Sequence, residues 1–412
     1  MAEYDVSPER AFELLQTAGA AAPVGTERLR AGAALGRVVR EELASLVDRP
    51  PADDSALDGY ACRVQDSADA SPDRPVHLKL VGRSHAGLPH LQPLSPGEAV
   101  YVATGGFVPP TTSQGQVGVL GVEHASDDGR TVVLTRPASA TAVRARARDL
   151  RAGQVYLRPG DELGPVQIGL VAGMGHVEVT VALKPRVAIV STGDELVQPG
   201  MTTAAGQIYE SNLPTLVAEA TRSGYEVAWA GRVLDDPDEL ATLLDDLGAR
   251  ELNLVMTIGG ISKGEREPVR GVLEASGQTV FQRVSARPGG PLTFFRYRGT
   301  PVLALPGNPV SSLVSFHLFG RAYLDAAMGR SSPPPFRSRL RATATHDLKP
   351  DAKTVFHRGF LQVDEHGARV SPFSDQSSAV TRSLLEGDCL AVAPPGGVRA
   401  GDVVDVIPLP RP

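Results

Sequence analysis

The sequence has few cysteines, which cross-link small secreted proteins, and lacks the long apolar runs that anchor a chain in a membrane. Among 412 residues only Cys62 and Cys389 are cysteines, one residue is tryptophan, and aromatic residues make up 5%. Two distant cysteines without a C-x-x-C spacing exclude a disulfide framework and a zinc–thiolate site, so any sulfur chemistry must come from a ligand. No run reaches the roughly 18 apolar residues of a membrane-spanning helix.

The sequence also has fewer positively charged than negatively charged residues. Lys and Arg number 41 against 47 Asp and Glu, which gives a formal charge of −6, and no basic stripe is interleaved with aromatic residues. This balance argues against nucleic acid as a partner. The N-terminus, MAEYDVSPERAFELLQ, carries acids where a signal peptide needs Lys or Arg. We therefore expect a cytoplasmic protein that makes no membrane contact.

Glycine (43) and proline (34) are abundant and scattered between apolar runs, which predicts many short strands and turns. The length and pattern indicate a multidomain α/β plus all-β protein. Alternating stretches such as VHLKLVG predict an inserted small β module over residues 49–138. The segments 1–48 and 139–183 form a discontinuous N-terminal and connector domain. The βαβα alternation that starts with RVAIVST predicts a parallel-sheet domain over 184–330, and residues 331–412 form a C-terminal β-barrel-like domain.

Three strands of the predicted parallel sheet end in turns that open helices. Because the carboxyl ends of parallel strands meet at one edge, these turns are expected to converge on a ligand. Glycines and free N–H groups at helix starts favour a phosphate. A well-capped helix is the alternative for any one turn, and Asn308 is expected to cap its helix through its side-chain oxygen. The turn residues expected to bind substrate are Thr192, Gly193 and Asp194, then Gly259, Gly260 and Ser262, then Pro306, Gly307 and Asn308, with Ser311 in the helix that follows.

Carboxylates form a second group of candidate site residues. Asp53, Asp54 and Asp58 crowd the segment PPADDSALDGYACR, and Glu195 and Glu267 lie at the sheet-edge turns. If the two regions meet, their oxygens are suited to Mg²⁺ beside a phosphate. N-capping and turn formation are the alternative roles for the crowded aspartates.

With these residues assembled, the chain resembles the molybdopterin molybdenumtransferase family, which includes the bacterial MoeA proteins and the gephyrin E domain. The resemblance extends over nearly the whole sequence. It is carried, in order, by the segments PPADDSALDGYACR, GEAVYVATGG, IVSTGDELVQPG, GQIYESN, TIGGISKGEREPVR, RPGGPLTF and LALPGNPVSSLVSFHLFGRAYL.

The resemblance implies an elongated homodimer, with the β module of one subunit facing the α/β domain of the other and the active site between them. It also implies the reaction: adenylylated molybdopterin is bound, its phosphoanhydride is hydrolysed, molybdate enters the dithiolene as substrate, and AMP is released. Mg²⁺ is the implied cofactor.

Carried over to this sequence, the family motifs assign further roles. Asp53, Glu195 and Glu267 are the implied metal ligands. Arg287 and Ser311 are expected near the molybdate. The implied catalytic residues are Asp53, Asp58, Asp149, Glu195 and Glu267, and the implied substrate-binding residues include Ser55, Thr104 and Ser211 beside the turn residues named above.

Several positions depart from the family pattern. Asp54 replaces an asparagine, Ile258 a serine and Gly290 the second basic residue of the turn that holds molybdate, while Lys263 and Arg266 are also unusual. Two alternatives therefore stay open. Besides the reaction that the resemblance implies, the chain could be a repurposed, non-catalytic scaffold with the same fold, or an enzyme acting on another adenylylated or phosphorylated small molecule.

Overall fold

The structure is a computed structural model that describes residues 2–261, 267–331 and 340–409. The N-terminal region begins with a short strand and a helix. The apolar spacing after Ser7-Pro8 predicts this helix. In the structure Ser7 caps it by accepting a hydrogen bond from the Arg10 N–H, and Pro8 occupies the first helical turn. Its elements are β1 (Glu3–Val6), α1 (Pro8–Ala20), β2 (Thr26–Arg30), β3 (Leu43–Ala44) and β4 (Asp54–Ser55).

A six-stranded sheet follows, with the strand order β8-β5-β7-β6-β10-β9. Its neighbours are antiparallel except for the parallel pair β6–β7. This all-β unit is what the alternating apolar stretches predict. Its strands are β5 (Gly59–Arg63), β6 (Val76–Ser84), β7 (Glu98–Val102), β8 (Val117–Gly121), β9 (Ala125–Asp127) and β10 (Thr131–Leu134).

The connector after this sheet pairs back onto the N-terminal region. Strand β2 pairs with β13, β3 with β12 and β4 with β11, all antiparallel. The chain therefore leaves and re-enters one small unit on either side of the β module. The connector elements are β11 (Val143–Arg144), β12 (Val155–Leu157), α2 (Pro165–Gly173) and β13 (Glu178–Ala182).

The α/β region contains the seven-stranded sheet β1-β19-β21-β22-β18-β14-β17. Strands β22, β18, β14 and β17 run parallel, and β21 is antiparallel to both β19 and β22. The elements are β14 (Arg186–Thr192), β15 (Leu196–Val197), β16 (Ile208–Tyr209), α3 (Asn212–Arg222), β17 (Glu226–Val233), α4 (Pro237–Gly248), β18 (Leu254–Ile258), α5 (Pro268–Ser276), β19 (Gly277–Val284), β20 (Ala286–Arg287), β21 (Thr293–Tyr297), β22 (Thr300–Leu305), α6 (Pro309–Ser315) and α7 (Arg321–Ala327).

Helices cover both faces of this sheet. On β14, Val187 and Ile189 point into a core shared with α1, α3, α6 and α7, whereas Ala188 and Val190 point into a core shared with α4 and α5. Burial on both sides explains why this strand is apolar at consecutive positions. The first strand and helix thus lie with the α/β sheet, because β1 adds to its edge beside β19 and α1 packs on α7. The division into four domains at the boundaries given above stays a prediction.

The C-terminal region is a closed five-stranded β-barrel. Strands β24, β25, β23, β27 and β26 pair in that order, and β26 pairs back onto β24 to close the ring. The predicted fold class is therefore confirmed. The elements are β23 (Leu340–Ala344), β24 (Thr354–Asp364), β25 (Gly367–Pro372), α8 (Arg382–Glu386), β26 (Cys389–Ala393) and β27 (Val403–Pro408). Within the described residues, no helix is long and apolar enough to cross a membrane.

Because α1 packs closely on α7, we expect a larger residue at Gly19 to lower the stability of the protein. A Cβ atom added at Gly19 would lie 2.1 Å from the Tyr323 carbonyl oxygen, a backbone atom that cannot move aside alone. Gly19→Ala is expected to destabilise the α/β region by about 1–3 kcal/mol. Urea unfolding followed by the fluorescence of Trp229, which lies on β17 of this sheet, measures the effect. Gly32→Ala is the control, since no atom lies within 4 Å of its added Cβ; an equal effect in both variants would contradict the prediction.

The burial of His317 predicts that the free energy of unfolding depends on pH. Burial, followed by the positive charges of Arg321 and Arg222, lowers the pKa of His317 from 6.5 to about 3. Between these values the unfolded chain binds a proton that the folded chain does not, so the free energy of unfolding falls as the pH drops from 6.5 towards 3. The expected slope from this residue is at most about 1.4 kcal/mol per pH unit. The slope should flatten in His317→Gln, and identical slopes in the two proteins would contradict the assignment.

Candidate active site at the carboxyl edge of the sheet

The three predicted turns meet around one cavity of about 530 Å³. They follow β14, β18 and β22, which are adjacent parallel strands, so their carboxyl ends share one edge. Gly259 and Gly260 adopt φ values of +87° and +66°, and an added Cβ on either would press on Thr192, which explains the paired glycines there. The predicted residues that line this cavity are Thr192, Gly193, Glu195, Ser211, Gly259, Gly260, Glu267, Pro306, Gly307 and Asn308.

Four carboxylates line this cavity. Glu195 and Glu267 are the predicted pair, and Asp235 and Glu210 join them. Burial raises the pKa of Asp235, and the negative charges of Asp194, Glu195 and Glu267 raise it further. Like charges that converge in this way are stabilised by a cation. Asp194 itself does not line the cavity; its carboxylate accepts a hydrogen bond from the Asp235 N–H at 3.1 Å.

Sequence reasoning missed Asp235 and Glu210. Asp235 precedes the helix start Asp236-Pro237 at the end of β17, so the same sheet-edge argument points to it. Glu210 is 3% exposed and accepts hydrogen bonds from the Ser191 hydroxyl and from the N–H groups of Asn212 and Leu213. It therefore ties the start of α3 to the end of β14. No signal in the sequence separates this buried role from that of an exposed turn acid.

A second cavity, of about 820 Å³, adjoins the first and shares Pro291 and Asn308 with it. It lies between the α/β region and the barrel, and both predicted molybdate residues, Arg287 and Ser311, line it, as does Gly290. Its lining is rich in cations, namely Arg283, Arg287, Lys349, Lys353 and Arg358, with Asp351 as the acid among them. Such a lining suits an oxyanion.

Two of these cations have carboxylate partners. Arg287 contacts Asp351 at 3.2 Å, and Lys353 contacts Asp5 at 3.6 Å. His357 lies in the same wall and is 6% exposed. Burial, and then the charge of Arg358, lowers the pKa of His357 to about 4, so its imidazole is neutral near pH 7.

The helix after Pro306-Gly307-Asn308 is not capped in the predicted way. The Asn308 side chain makes no capping hydrogen bond to α6; its amide instead donates to the Ser378 hydroxyl at 3.0 Å. The Val310 N–H donates to the Ser378 carbonyl at 3.1 Å. The expectation that Asn308 caps this helix is therefore wrong. The reason is tertiary, because a segment of the barrel region reaches the helix start first.

The remaining predicted residues form a separate cluster where the connector meets the β module. The Asp58 carboxylate accepts from the Thr104 N–H at 2.6 Å and from its hydroxyl at 3.0 Å, and these bonds lower the pKa of Asp58. Asp53 accepts from the Arg146 N–H at 2.8 Å. The Ser55 hydroxyl is buried and donates to the Leu57 carbonyl at 2.5 Å, so it is engaged within its own turn.

In the same cluster, a neighbouring arginine compensates the negative charge of Asp54, one of the departures from the family pattern. The Asp54 carboxylate receives two hydrogen bonds from the Arg144 guanidinium, at 2.7 and 3.0 Å, so its extra negative charge is neutralised locally. Asp149 lies close by and contacts Arg49 at 3.3 Å.

Within one chain the two groups of carboxylates do not share a cavity. None of the described residues of 49–138 lines the cavity at the sheet edge. Over the described ranges there is also no group of three or more His, Cys, Asp or Glu side chains placed to hold a metal ion. The predicted set Asp53, Glu195 and Glu267 is thus divided, with two members in the cavity and one outside it. Ser262, Lys263 and Arg266 lie outside the described residues.

Family models match the chain in three consecutive blocks. Residues 6–175 match the MoeA N-terminal region (domain I and II), residues 188–326 match a probable molybdopterin binding domain, and residues 341–409 match the MoeA C-terminal region (domain IV). The three blocks follow one another in the order of the sheets described above.

Similar proteins cover nearly the whole chain. A molybdopterin molybdenumtransferase of Synechococcus elongatus is 35% identical over 97% of this chain and 99% of its own. Molybdopterin molybdenumtransferase 2 of Mycobacterium tuberculosis is 34% identical over 90% of both chains. The crystal structure of a molybdopterin biosynthesis MoeA protein from Pyrococcus horikoshii is similar with a TM-score of 0.75 and 29% identity, over 98% of each chain.

Fold and site together define a multidomain transferase whose sheet-edge cavity adjoins a cation-lined cavity beneath a β-barrel. The chain belongs to the MoeA family of molybdopterin molybdenumtransferases. The resemblance drawn from the sequence motifs is therefore confirmed.

Proposed function

We propose that this protein inserts molybdenum into adenylylated molybdopterin, with hydrolysis of the phosphoanhydride and release of AMP. The observation that carries the proposal is the adjacency of two unlike cavities. One is bounded by glycine turns and carboxylates, and the other by cations, and they meet at Pro291 and Asn308. A ligand that fills the first cavity can thus meet an oxyanion held in the second.

The glycine turns around the first cavity suit the anhydride. Gly193, Gly259 and Gly307 expose backbone where a side chain would block close approach, and the positive end of α3 begins beside them at Asn212. Thr192 and Ser211 add hydroxyl groups at the cavity wall. These groups orient the phosphates for reaction.

Glu195 and Glu267 fit Mg²⁺ because both supply hard oxygen ligands in a cavity where Asp235 already experiences negative charge. When bound, Mg²⁺ would neutralise phosphate charge and polarise the anhydride. We further propose that Asp53 reaches this position from a second copy of the chain in a homodimer. This arrangement accounts for a donor set that is divided within one chain.

The second cavity fits molybdate as the oxyanion substrate. Arg287 and Ser311 line it as the resemblance implies. The cation that is absent at Gly290 is offset there by Lys349 and Lys353 from the barrel region. Of the three departures that favour a non-catalytic scaffold, Asp54, Ile258 and Gly290, the first and the last thus each have a compensating partner.

The direct test supplies purified protein with adenylylated molybdopterin, Mg²⁺ and molybdate and measures AMP. We expect AMP release that requires both Mg²⁺ and molybdate, together with transfer of active cofactor to an apo-molybdoenzyme. Hydrolysis that is indifferent to molybdate would point to another adenylylated substrate. A folded protein that releases no AMP would contradict the proposal.

A further inference from the structure

One irregular segment of the barrel region borders both cavities. Residues 375–379 belong to no helix or strand. Gln376, Ser377 and Ser378 line the cation-rich cavity, and Ala379 lines the sheet-edge cavity. Because Ser378 also bonds Asn308 and the Val310 N–H, this segment connects the barrel to the start of α6. Its position therefore sets the shape of the wall between the two cavities.

Arg358 on β24 holds this segment in place. Among the described residues it is the largest of the fully buried side chains, at 2% exposure. The guanidinium donates to the Ser377 carbonyl at 2.9 Å, to the Asp375 carbonyl at 3.4 Å and to the Ser383 hydroxyl at 3.0 Å. Three acceptors in different directions match the planar fork of an arginine, which a lysine cannot reproduce.

The backbone of Arg358 makes a second attachment to the same segment. Its N–H donates to the Gln376 side-chain oxygen at 3.1 Å, and its carbonyl accepts from the Gln376 side-chain amide at 2.8 Å. Without regular secondary structure, the segment depends on such side-chain bonds for a single conformation. Among the described residues, no carboxylate lies within ion-pair distance of the Arg358 guanidinium. The burial of its charge is therefore offset by neutral oxygens and, at longer range, by the Asp375 carboxylate.

We infer that Arg358 is a positioning residue for oxyanion binding: it fixes residues 375–379 so that Ser377 and Ser378 form the wall against which molybdate binds. This inference rests on the proposed function. It assigns to Arg358 a role exerted through the segment and not through contact with the reacting bond. Loss of the fork should therefore weaken the oxyanion site and leave the sheet-edge cavity intact.

Arg358→Lys tests this role because it retains the charge and removes the fork. Calorimetric titration with molybdate is expected to give at least a tenfold higher Kd than in the unsubstituted protein. The Kd for AMP, the probe of the sheet-edge cavity, should stay within twofold. Arg341→Lys on β23, an exposed position outside both cavities, is the matched control and should change neither constant. Unchanged molybdate binding in Arg358→Lys, or equal weakening of AMP and molybdate, would overturn the inference.

A double substitution separates positioning from direct contact. Ser378→Ala removes the side-chain link to Asn308 and should also weaken molybdate binding. If Arg358 acts through the segment, Arg358→Lys combined with Ser378→Ala should bind molybdate within about twofold of Arg358→Lys alone. Independent, multiplying losses would mean that Arg358 acts on the anion by another route. Neither titration requires turnover, so unchanged molybdate binding in Arg358→Lys refutes only the positioning role, whereas absent AMP release by the unsubstituted protein refutes the proposed reaction.

Discussion

Glu267→Gln is expected to reduce AMP release at least about a hundredfold, because it removes one of the two carboxylates proposed to hold Mg²⁺ at the anhydride. The amide has nearly the shape of the carboxylate, so the sheet-edge cavity should keep its form. The loss should therefore appear in the rate, and AMP should still bind. Steady-state rates at saturating Mg²⁺ and molybdate, with AMP titration alongside, measure both quantities.

Two control variants sharpen this experiment. Glu267→Asp should retain most of the activity, since it keeps the charge and shortens the arm by only one methylene. Glu226→Gln changes an exposed glutamate at the opposite end of β17, where its partner is Arg186, and should leave the rate unchanged. Full activity in Glu267→Gln would remove this residue from the proposed metal site.

Mixing two inactive variants is expected to restore activity if the site lies between subunits. Asp53→Asn damages the β-module side of the proposed site, and Glu267→Gln damages the α/β side. In a heterodimer of the two, one site receives both unaltered halves. Half of randomly exchanged dimers are heterodimers, so the mixture should regain about a quarter of the unsubstituted activity.

The control for this complementation is a mixture of Glu195→Gln and Glu267→Gln. Both substitutions lie on the α/β side, so every heterodimer site carries one of them and no activity should return. The chains must be exchanged under conditions that dissociate and reform the assembly, with size-exclusion chromatography confirming its size. No recovery in the Asp53 mixture, with exchange demonstrated, would show that Asp53 does not complete the site from a second copy.

Local sequence patterns predicted much of the α/β region because each signal there is short in range. The apolar run RVAIVST is strand β14, Asp236-Pro237 opens α4, and the glycine turns follow β14, β18 and β22. The convergence of the three glycine turns also follows from sequence, since parallel strands share their carboxyl edge. Asp235 obeys the same rule, but the helix start Asp236-Pro237 directly after it conceals its place at the sheet edge.

Other features depend on contacts that no local pattern contains. Asp54 reads as an uncompensated acid in the sequence, yet Arg144, 90 residues later, neutralises it across β4–β11. Asn308 is of a residue type that commonly caps helices, yet its side-chain amide donates a hydrogen bond to the Ser378 hydroxyl instead. The first helix precedes the connector in the chain, yet it packs against α7 in the α/β region.

The sequence alone determined the strands and helices, the family and the turns at the sheet edge, because propensity, apolar period and motif order act over a few residues at a time. Only the tertiary structure decided which charges are neutralised, what covers the start of α6 and how a segment of the barrel separates the two cavities. Those outcomes depend on distances between residues far apart in the chain, and such distances are set by packing of the complete core.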